Sequence, residues 1–224
     1  MPGRQAAADG ASVLRLAHLL ITRICHDLSG PLTGLGAAIG EMPEDPMALP
    51  IAVDAALALR RRMALLRAAW GEKESELTVD ALRDLARGLP NAHRFQVDTG
   101  ALAPGAAFDP AAARLVVNLM LLAAESLPGG GLLVLAGNPS GQIVATIAGK
   151  RACWPAGLGV MLASADAAWA AVDALDGFAG LRFLQGPLTA LLAHQSGARA
   201  GLLMAAAAEQ APPLLLDLSA IPPD

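Results

Sequence analysis

The chain has 224 residues, a formal net charge of −4 and a hydrophobic content of 54%. Its length suits one large domain or two small ones, and its acidic balance argues against nucleic acid as a partner. The mean hydropathy is +0.48, yet no stretch of about 18 residues lacks charged or strongly polar side chains, so the sequence predicts no membrane span. The N-terminus does not resemble a signal peptide, and we expect a soluble cytoplasmic protein.

The first part of the chain is predicted to be a short tail followed by a long helix. Residues 1–10 are small and polar, which is typical of a disordered tail. Ser12 is a suitable N-cap for a helix that runs to about Met42. Apolar side chains recur in this helix at intervals of three and four residues, as on one buried face. This apolar stripe comprises Leu14, Ala17, Ile21, Ile24, Leu28, Leu32, Leu35, Ile39 and Met42.

A second helix is predicted to return antiparallel to the first. Residues 43–46, Pro-Glu-Asp-Pro, form a turn that is too short for another arrangement. The second helix runs over residues 47–70 and ends at Gly71. The three arginines at residues 60–62 lie beside its apolar side chains and are expected mostly to face solvent. Residues 11–71 therefore form a helical hairpin.

Two helices alone cannot bury apolar stripes of this width. A homodimer, in which two hairpins form a four-helix bundle, would bury them. The alternative is that the hairpin packs against the remainder of its own chain. We expect the homodimer, and the alternative stays open.

Residues 72–224 are predicted to form an α/β domain after a short linker. A helix cap at Thr78 or Asp80, a helix start at residues 109–110 and a hairpin turn at residues 138–141 are its sharpest signals. The fold class is therefore α+β, a helical hairpin followed by an α/β sandwich with helices on one face of a mixed sheet. The predicted elements are a helix to Arg87, a strand at 93–99, a helix at 109–126, strands at 132–136 and 142–148, weak helices within 155–175, a helix at 181–194, and strands at 198–206 and 213–219.

His26 is the residue best suited to chemistry. It lies on the face of the first helix away from the apolar stripe. Its helical neighbours, which are small or polar, are Thr22, Arg23, Ser29 and Gly30. An imidazole among short side chains is open to another protein, whereas a histidine needed only for packing would lie on the stripe.

Residues 26–32, His-Asp-Leu-Ser-Gly-Pro-Leu, resemble the phosphoacceptor box of histidine kinases. Over residues 13–207 the chain resembles the alphaproteobacterial histidine phosphotransferases of the ChpT type. That resemblance implies a hairpin that carries the histidine and dimerises as a four-helix bundle. It also implies a kinase-like domain that has lost ATP binding. Residues 11–71 would be the dimerisation and phosphotransfer domain, and residues 72–224 the degenerate ATPase domain.

The second domain departs from the nucleotide-binding pattern of the kinases. Residues 118–120, Asn-Leu-Met, are similar to the start of the first nucleotide box, but Leu122 stands where the family has a magnesium-binding asparagine. Residues 147–151 lack the acid that reads adenine in the next box. The glycines of residues 157–159 are a weak match to the later lid and are typical of an ordinary turn. ATP hydrolysis is not expected, and the domain is interpreted as a docking platform.

Roles for the residues around the histidine follow from their positions and from the resemblance. His26 would accept the phosphoryl group, and Asp27 would orient its ring or would simply be a solvated surface acid. Arg23 would steady phosphoryl oxygens or a receiver acid, or would simply be a surface charge. Gly30 replaces the Thr or Asn with which related kinases orient a water, which argues against a phosphatase role. The expected receiver-binding residues are Thr22, Arg23, Ser29, Gly30 and Thr33.

The implied function is phosphoryl transfer between His26 and aspartates of receiver domains in a two-component phosphorelay. The partners would be the receivers of a hybrid histidine kinase and of response regulators. No cofactor or metal of its own is expected, because Cys25 and Cys153 have no metal-ligand spacing and the receiver's acidic site can supply magnesium. Cys25, close to the stripe, is expected to be buried. A histidine autokinase with a divergent ATP site and a non-catalytic receiver-binding adaptor are the open alternatives.

Overall fold

The computed structural model describes residues 2–42, 45, 47–71, 76–103, 105–207 and 210–221, with side chains described from residue 10 onward. Pro43, Glu44 and Pro46 of the predicted turn lie outside the described residues. No helix in the described part of the chain is long and apolar enough to cross a membrane.

The two N-terminal helices form the predicted hairpin. Helix α1 spans Pro2–Glu41 and helix α2 spans Ala48–Trp70. The predicted start at Ser12 is wrong, because α1 begins earlier and includes most of the residues that the sequence assigned to a tail at 1–10. The Ser12 hydroxyl caps nothing and donates instead to the Asp173 carboxylate at 2.8 Å.

The second domain is a five-stranded mixed sheet with helices packed against it, as predicted. Numbered in chain order, its strands lie side by side as β2 (Phe95–Leu102), β4 (Gly131–Gly137), β5 (Gln142–Ala148), β7 (Leu214–Asp217) and β6 (Arg199–Leu202). Among these neighbours only β2 and β4 are parallel. A separate two-stranded pair, β1 with β3, has only two residues in each strand and was not predicted. The elements are β1 Leu77–Thr78, α3 Val79–Ala86, β2 Phe95–Leu102, β3 Ala107–Phe108, α4 Pro110–Glu125, β4 Gly131–Gly137, β5 Gln142–Ala148, α5 Leu158–Ala163, α6 Ala165–Asp173, α7 Gly177–Gly180, a 3₁₀ turn Leu181–Phe183, α8 Gln185–Ser196, β6 Arg199–Leu202 and β7 Leu214–Asp217.

Local capping explains why several boundaries were predicted well. The Thr78 hydroxyl accepts a hydrogen bond from the Ala81 amide at 3.2 Å and begins α3. The Asp109 carboxylate accepts from the Ala112 amide at 2.8 Å, with a proline at the first position of α4. Gly197 ends α8 at φ 78°, a conformation that favours glycine.

Other boundaries differ where no local signal marks them. The helix predicted at 181–194 begins only at Gln185, after α7 and the 3₁₀ turn. The strand predicted at 93–99 is Phe95–Leu102, and His93 lies in the preceding turn. The last two strands are shorter than predicted.

Helix α4 is the centre of the core and joins the two parts of the chain. It is apolar around most of its circumference, which is the pattern of a fully surrounded helix, and Leu119 and Leu122 have no exposed surface. Leu65 and Ala69 of α2 are fully buried in the same core. One face of the hairpin therefore packs against its own C-terminal domain.

Another face of the hairpin stays exposed in the single chain. Its apolar side chains include much of the stripe predicted for α1 and extend onto α2. Those with 40% or more of their surface exposed are Val13, Leu14, Ile21, Leu32 and Ile39 in α1, Met42 just after it, and Leu49, Val53 and Met63 in α2.

Candidate functional site

His26 projects from α1 and is open to solvent, as the helical pattern predicted. Its side chain is 54% exposed. The ring nitrogen Nδ1 lies 3.1 Å from Oδ1 of Asp27, and Nε2 forms no hydrogen bond with any residue that the structure describes. The rings of His26 and Phe178 are in edge-to-face contact, with centroids 4.9 Å apart and an interplanar angle of 69°. One ring nitrogen is thus held by the protein and the other is free.

Asp27 is buried and is not the solvated surface acid that the sequence left as an alternative. Its side chain is only 9% exposed. While Oδ1 faces His26, Oδ2 accepts hydrogen bonds from Arg23 Nε at 3.1 Å and from a terminal nitrogen of Arg62. The carboxylate therefore connects the imidazole to two guanidinium groups.

Arg23 is also buried, so the surface-charge alternative is wrong for this residue. Its side chain is 10% exposed. One terminal nitrogen donates to the Leu181 carbonyl at 2.8 Å, the other donates to the Glu125 carboxylate, and Nε donates to Asp27. All three guanidinium nitrogens have partners within the protein. The expected contact of Arg23 with a receiver stays a prediction.

Arg62 corrects the expectation that residues 60–62 mostly face solvent. Arg60 and Arg61 are exposed, but the Arg62 side chain is only 10% exposed. Its guanidinium donates to the Gly88 carbonyl at 3.2 Å and to Asp27. Along the chain, Asp27 and Arg62 are equally many residues from the middle of the connection between the two helices. In an antiparallel hairpin such residues lie opposite each other, and this was the available sequence signal for their pairing.

Glu125, at the end of α4, is the other residue that the sequence reasoning missed. Its side chain is 17% exposed and pairs with Arg23. It is the only charged residue within the apolar run 115–127. A lone acid in such a run is costly to bury unless it is paired, and this was the signal that could have identified it.

The pKa values of Asp27, Glu125 and Arg23 are set by burial and by the charges that these residues and Arg62 place next to one another. Burial acts to raise the pKa of Asp27, but Arg23 and Arg62, with the hydrogen bonds from His26 and Arg23, outweigh it and lower that pKa. Burial raises the pKa of Glu125, and the nearby Arg23 offsets this only in part. Burial acts to lower the pKa of Arg23, but Glu125 and Asp27 outweigh it and raise that pKa. Asp27 is therefore ionised at neutral pH.

The remaining predicted site residues lie with His26 on one exposed face of α1. Thr22, Ser29, Gly30 and Thr33 are all exposed. The hydroxyls of Thr22 and Ser29 donate to carbonyls one turn earlier in the helix, at 2.8 and 2.6 Å. A Cβ at Gly30 would meet nothing within 4 Å. This face therefore carries short side chains and is accessible to solvent, and its role in receiver binding stays a prediction.

Cys25 is exposed, so the expectation that it is buried beside the stripe is wrong for the single chain. Among the described residues, no three His, Cys, Asp or Glu side chains come together as a metal site requires.

A cavity of about 940 Å³ opens beside His26, between the hairpin and the C-terminal domain. Its wall includes exposed residues of the second domain that the sequence did not single out. Phe178 and Phe183 are 65% and 52% exposed, and the Arg182 guanidinium lies 4.7 Å from the centroid of the Phe183 ring. Arg151, another exposed cation, lines the same cavity.

Asn118, which matched the start of the kinase nucleotide box, is buried and fully hydrogen-bonded. Its Oδ1 accepts from Trp70 Nε1 at 3.0 Å and from Gln185 Nε2 at 2.9 Å. Its Nδ2 donates to the carbonyls of Ala69 and Arg114, both at 2.9 Å. The amide thus joins α4 to α2 and α8, and its polar atoms are all used within the protein.

Comparison with known proteins gives a family and structural relatives. Residues 79–210 match the model of the histidine phosphotransferase C-terminal domain. No curated protein matches the chain. A solved structure described as "1.7 Angstrom Structure of a Bacterial Phosphotransferase" superposes with a TM-score of 0.63 at 20% sequence identity, covering 91% of this chain and 95% of that one. The likeness therefore extends over the hairpin as well as the second domain.

Proposed function

Because the chain belongs to the histidine phosphotransferase family and so serves a phosphorelay, we propose that His26 is the residue that carries the phosphoryl group. The observation that carries this proposal is the asymmetry of the imidazole. Nδ1 is held by Asp27 while Nε2 is free on an exposed face. A neutral imidazole with one nitrogen fixed by a carboxylate presents the lone pair of the other as a nucleophile.

The transfer step follows from that tautomer. Nε2 attacks the phosphorus of a receiver's aspartyl phosphate, the N–P bond forms, and the P–O bond to the receiver breaks. The receiver aspartate leaves as a carboxylate and keeps the electron pair. The proton on Nδ1 stays in place, so the phosphorylated ring is cationic and Asp27 lies beside that charge. The reverse step passes the group to a second receiver.

The surroundings of His26 support a protein partner. The face that carries Thr22, Ser29, Gly30 and Thr33 is exposed and free of bulky side chains, which allows a receiver to bring its aspartate close. Phosphoryl transfer needs mainly positioning and charge neutralisation, and the receiver's acidic site supplies the magnesium. The partners proposed are receivers of a hybrid histidine kinase and of response regulators. The location proposed is the cytoplasm, where such receivers work. Glycine at position 30 has no side chain to orient a water, so we propose no phosphatase activity.

A homodimer is part of the proposal. The exposed apolar side chains of α1 and α2 lie along one face and form a patch of the kind that marks a protein interface, and pairing two hairpins as a four-helix bundle would cover it. Ile39→Glu, within that face, is expected to convert the dimer to a monomer in sedimentation experiments. Val160→Glu is the control, because Val160 is 64% exposed on α5 and outside that face. A wild-type protein that sediments as a monomer would overturn this part of the proposal.

The test of the proposed function is a radiolabel assay on wild type and His26→Gln. Label is expected on the wild type when a phosphorylated receiver is supplied, and not on the variant. Label from ATP alone would instead identify an autokinase. Receiver-dependent signalling that persists in the His26→Gln variant would identify a non-catalytic adaptor.

A further inference from the structure

Two groups of the C-terminal domain are linked by hydrogen bonds, through Arg23, to Asp27, the residue that follows the proposed phosphoacceptor. The Glu125 carboxylate, at the end of α4, and the Leu181 carbonyl, in the 3₁₀ turn, both accept hydrogen bonds from Arg23 of α1. Neither group touches His26. Both act on the arginine that binds its neighbour, Asp27.

The geometry of Arg23 makes this a directed connection. A guanidinium is planar and rigid, so fixing two of its nitrogens fixes the direction of the third. Glu125 and Leu181 hold the two terminal nitrogens, and Nε then points at Oδ2 of Asp27. The other Asp27 oxygen meets Nδ1 of His26 at 3.1 Å. The orientation of the imidazole is therefore linked, through two charged side chains, to a carboxylate of the second domain.

The three linked charged side chains are much less exposed than His26. The side chains of Glu125, Arg23 and Asp27 are 17%, 10% and 9% exposed, whereas His26 is 54% exposed. Hydrogen bonds between charged groups are stronger and more directional than neutral ones, and low exposure protects them from solvent screening. The buried end is thus suited to hold a geometry and the exposed end to react.

Domain docking alone does not require these charges. The C-terminal domain also contacts α1 through Asp173, which accepts from Ser12 at 2.8 Å, and through the carbonyls of Val172 and Leu175, which accept from Arg15. Those contacts lie two or more helical turns away from His26. The Glu125 and Leu181 contacts lead to the ring through hydrogen bonds, whereas Phe178 meets the ring directly without one.

We propose that the C-terminal domain is part of the phosphotransfer site and that Glu125 is a positioning residue. This proposal rests on the proposed function. Through Arg23 and Asp27 it holds His26 in the tautomer with the proton on Nδ1, and in the orientation that leaves Nε2 free to accept the phosphoryl group. The degenerate domain then has a role in the chemistry that is separate from docking partners.

The test compares Glu125→Gln with Asp173→Asn in the full-length protein. Both variants change an acid that contacts α1 into its amide, but only the first lies in the chain leading to His26. The readouts are the initial rate of phosphoryl transfer from a charged receiver, the ¹⁵N signals of the His26 ring, and the melting temperature. The His26 signals are assigned by their absence in His26→Gln, since the chain has four histidines.

In Glu125→Gln the transfer rate is expected to fall about 10- to 100-fold, the loss that misplacement of a reacting group by about 1 Å can produce. The ¹⁵N signals should show a smaller fraction of the ring with its proton on Nδ1. Asp173→Asn should keep both the rate, within about twofold, and the ring signals, because an exposed contact contributes little.

Three results would overturn the inference. They are a folded Glu125→Gln protein with the wild-type rate, a slowed variant with unchanged ring signals, and a wild-type ring protonated on Nε2 instead of Nδ1. The last measurement needs no variant and no receiver, so it can overturn the inference even if Glu125→Gln does not fold. Failure of the proposed function has a different signature, namely no label on wild type from any charged receiver.

Discussion

The hairpin and the C-terminal domain are joined at two polar seams that differ in chemistry. The charged seam consists of Asp27, Arg23, Arg62 and Glu125, and the amide seam consists of Trp70, Asn118, Gln185 and Thr189. Both seams are largely buried, and each connects α4 to the hairpin. Neutral amides can satisfy one another without the large desolvation penalty that buried charges carry. Since the amide seam already joins the domains, the charged seam needs another explanation, and its contact with His26 supplies one.

The largest expected effect comes from breaking the charged seam at its centre. Asp27→Asn removes the anion that Arg23 and Arg62 share and leaves both cations short of a partner, which destabilises a buried site by about 3–5 kcal/mol. Asparagine retains one side-chain oxygen, which the two arginines would hold, so its NH2 group would face Nδ1 of His26 and favour the opposite tautomer. Phosphoryl transfer should therefore fall about 100-fold. Denaturant unfolding and receiver-dependent labelling measure the two effects. A stable and active Asp27→Asn protein would show that the charged seam is dispensable.

The amide seam should give loss of stability without loss of chemistry. Asn118→Ala leaves the indole N–H of Trp70 without its acceptor, at about 1–3 kcal/mol for an unsatisfied group. The Gln185 amide loses one acceptor but keeps the backbone carbonyl of residue 118 and the Thr189 hydroxyl. The transfer rate of the folded fraction should stay at the wild-type value, because none of these groups touches His26. Chemical denaturation and the same labelling assay provide the comparison. A slowed but fully folded Asn118→Ala protein would contradict the distinction between the seams.

The pH dependence of stability separates the two acids of the charged seam. The pKa of Asp27 is lowered from 3.8 in the folded protein, so the unfolded chain takes up its proton first and stability falls as the pH drops from about 4 through the folded pKa. The pKa of Glu125 is raised from 4.5, so the folded protein takes up this proton first and stability rises as the pH falls through the raised value toward about 4.5. The groups facing these acids are Arg23, Arg62 and His26.

Melting curves of wild type, Asp27→Asn and Glu125→Gln between about pH 3 and 7 test these opposite slopes. The stability difference between wild type and Asp27→Asn should shrink below about pH 4. The difference between wild type and Glu125→Gln should grow as the pH falls from neutral toward about 4.5. Parallel curves for all three proteins would contradict both directions.

The smallest expected effect lies outside both seams, and its cost in stability is the reference with which the costs of the seam variants are compared. Thr78→Ala removes the hydroxyl that caps α3 and should cost about 1 kcal/mol, with no change in transfer. Thr78→Ser retains the hydroxyl and is the control. If Thr78→Ala proved as costly as Asn118→Ala, the amide seam would rank no higher than an ordinary helix cap.

Much of the fold could be predicted because its signals are local. The caps at Thr78 and Asp109, the glycine at 197 and the hairpin between β4 and β5 depend on residues close in sequence, and they lie where predicted. The pair β1–β3 was missed because two residues in a strand make no pattern. The short helix α7 and the 3₁₀ turn were missed because their position depends on packing against α1.

The candidate site divides in the same way. The exposure of His26 follows from the periodicity of a single helix, so the sequence was enough. The burial of Asp27 does not, because it depends on Arg62 from α2 and on Arg23, which is itself held by Glu125 from α4. These partners are 35 residues or more away along the chain from the residues of α1 that they bind, and only tertiary packing brings them together.

Trp70 also makes the amide seam visible to optical spectroscopy. The chain has three tryptophans and no tyrosine, so its near-ultraviolet emission comes almost entirely from indole rings. Trp154 is buried in the C-terminal domain and Trp169 packs against the same core, whereas Trp70 is the one that the hairpin contributes to the boundary. Separating the hairpin from the domain would expose this ring and move its emission to longer wavelength. The intensity lost on Trp70→Phe then reports domain separation in solution without an added dye.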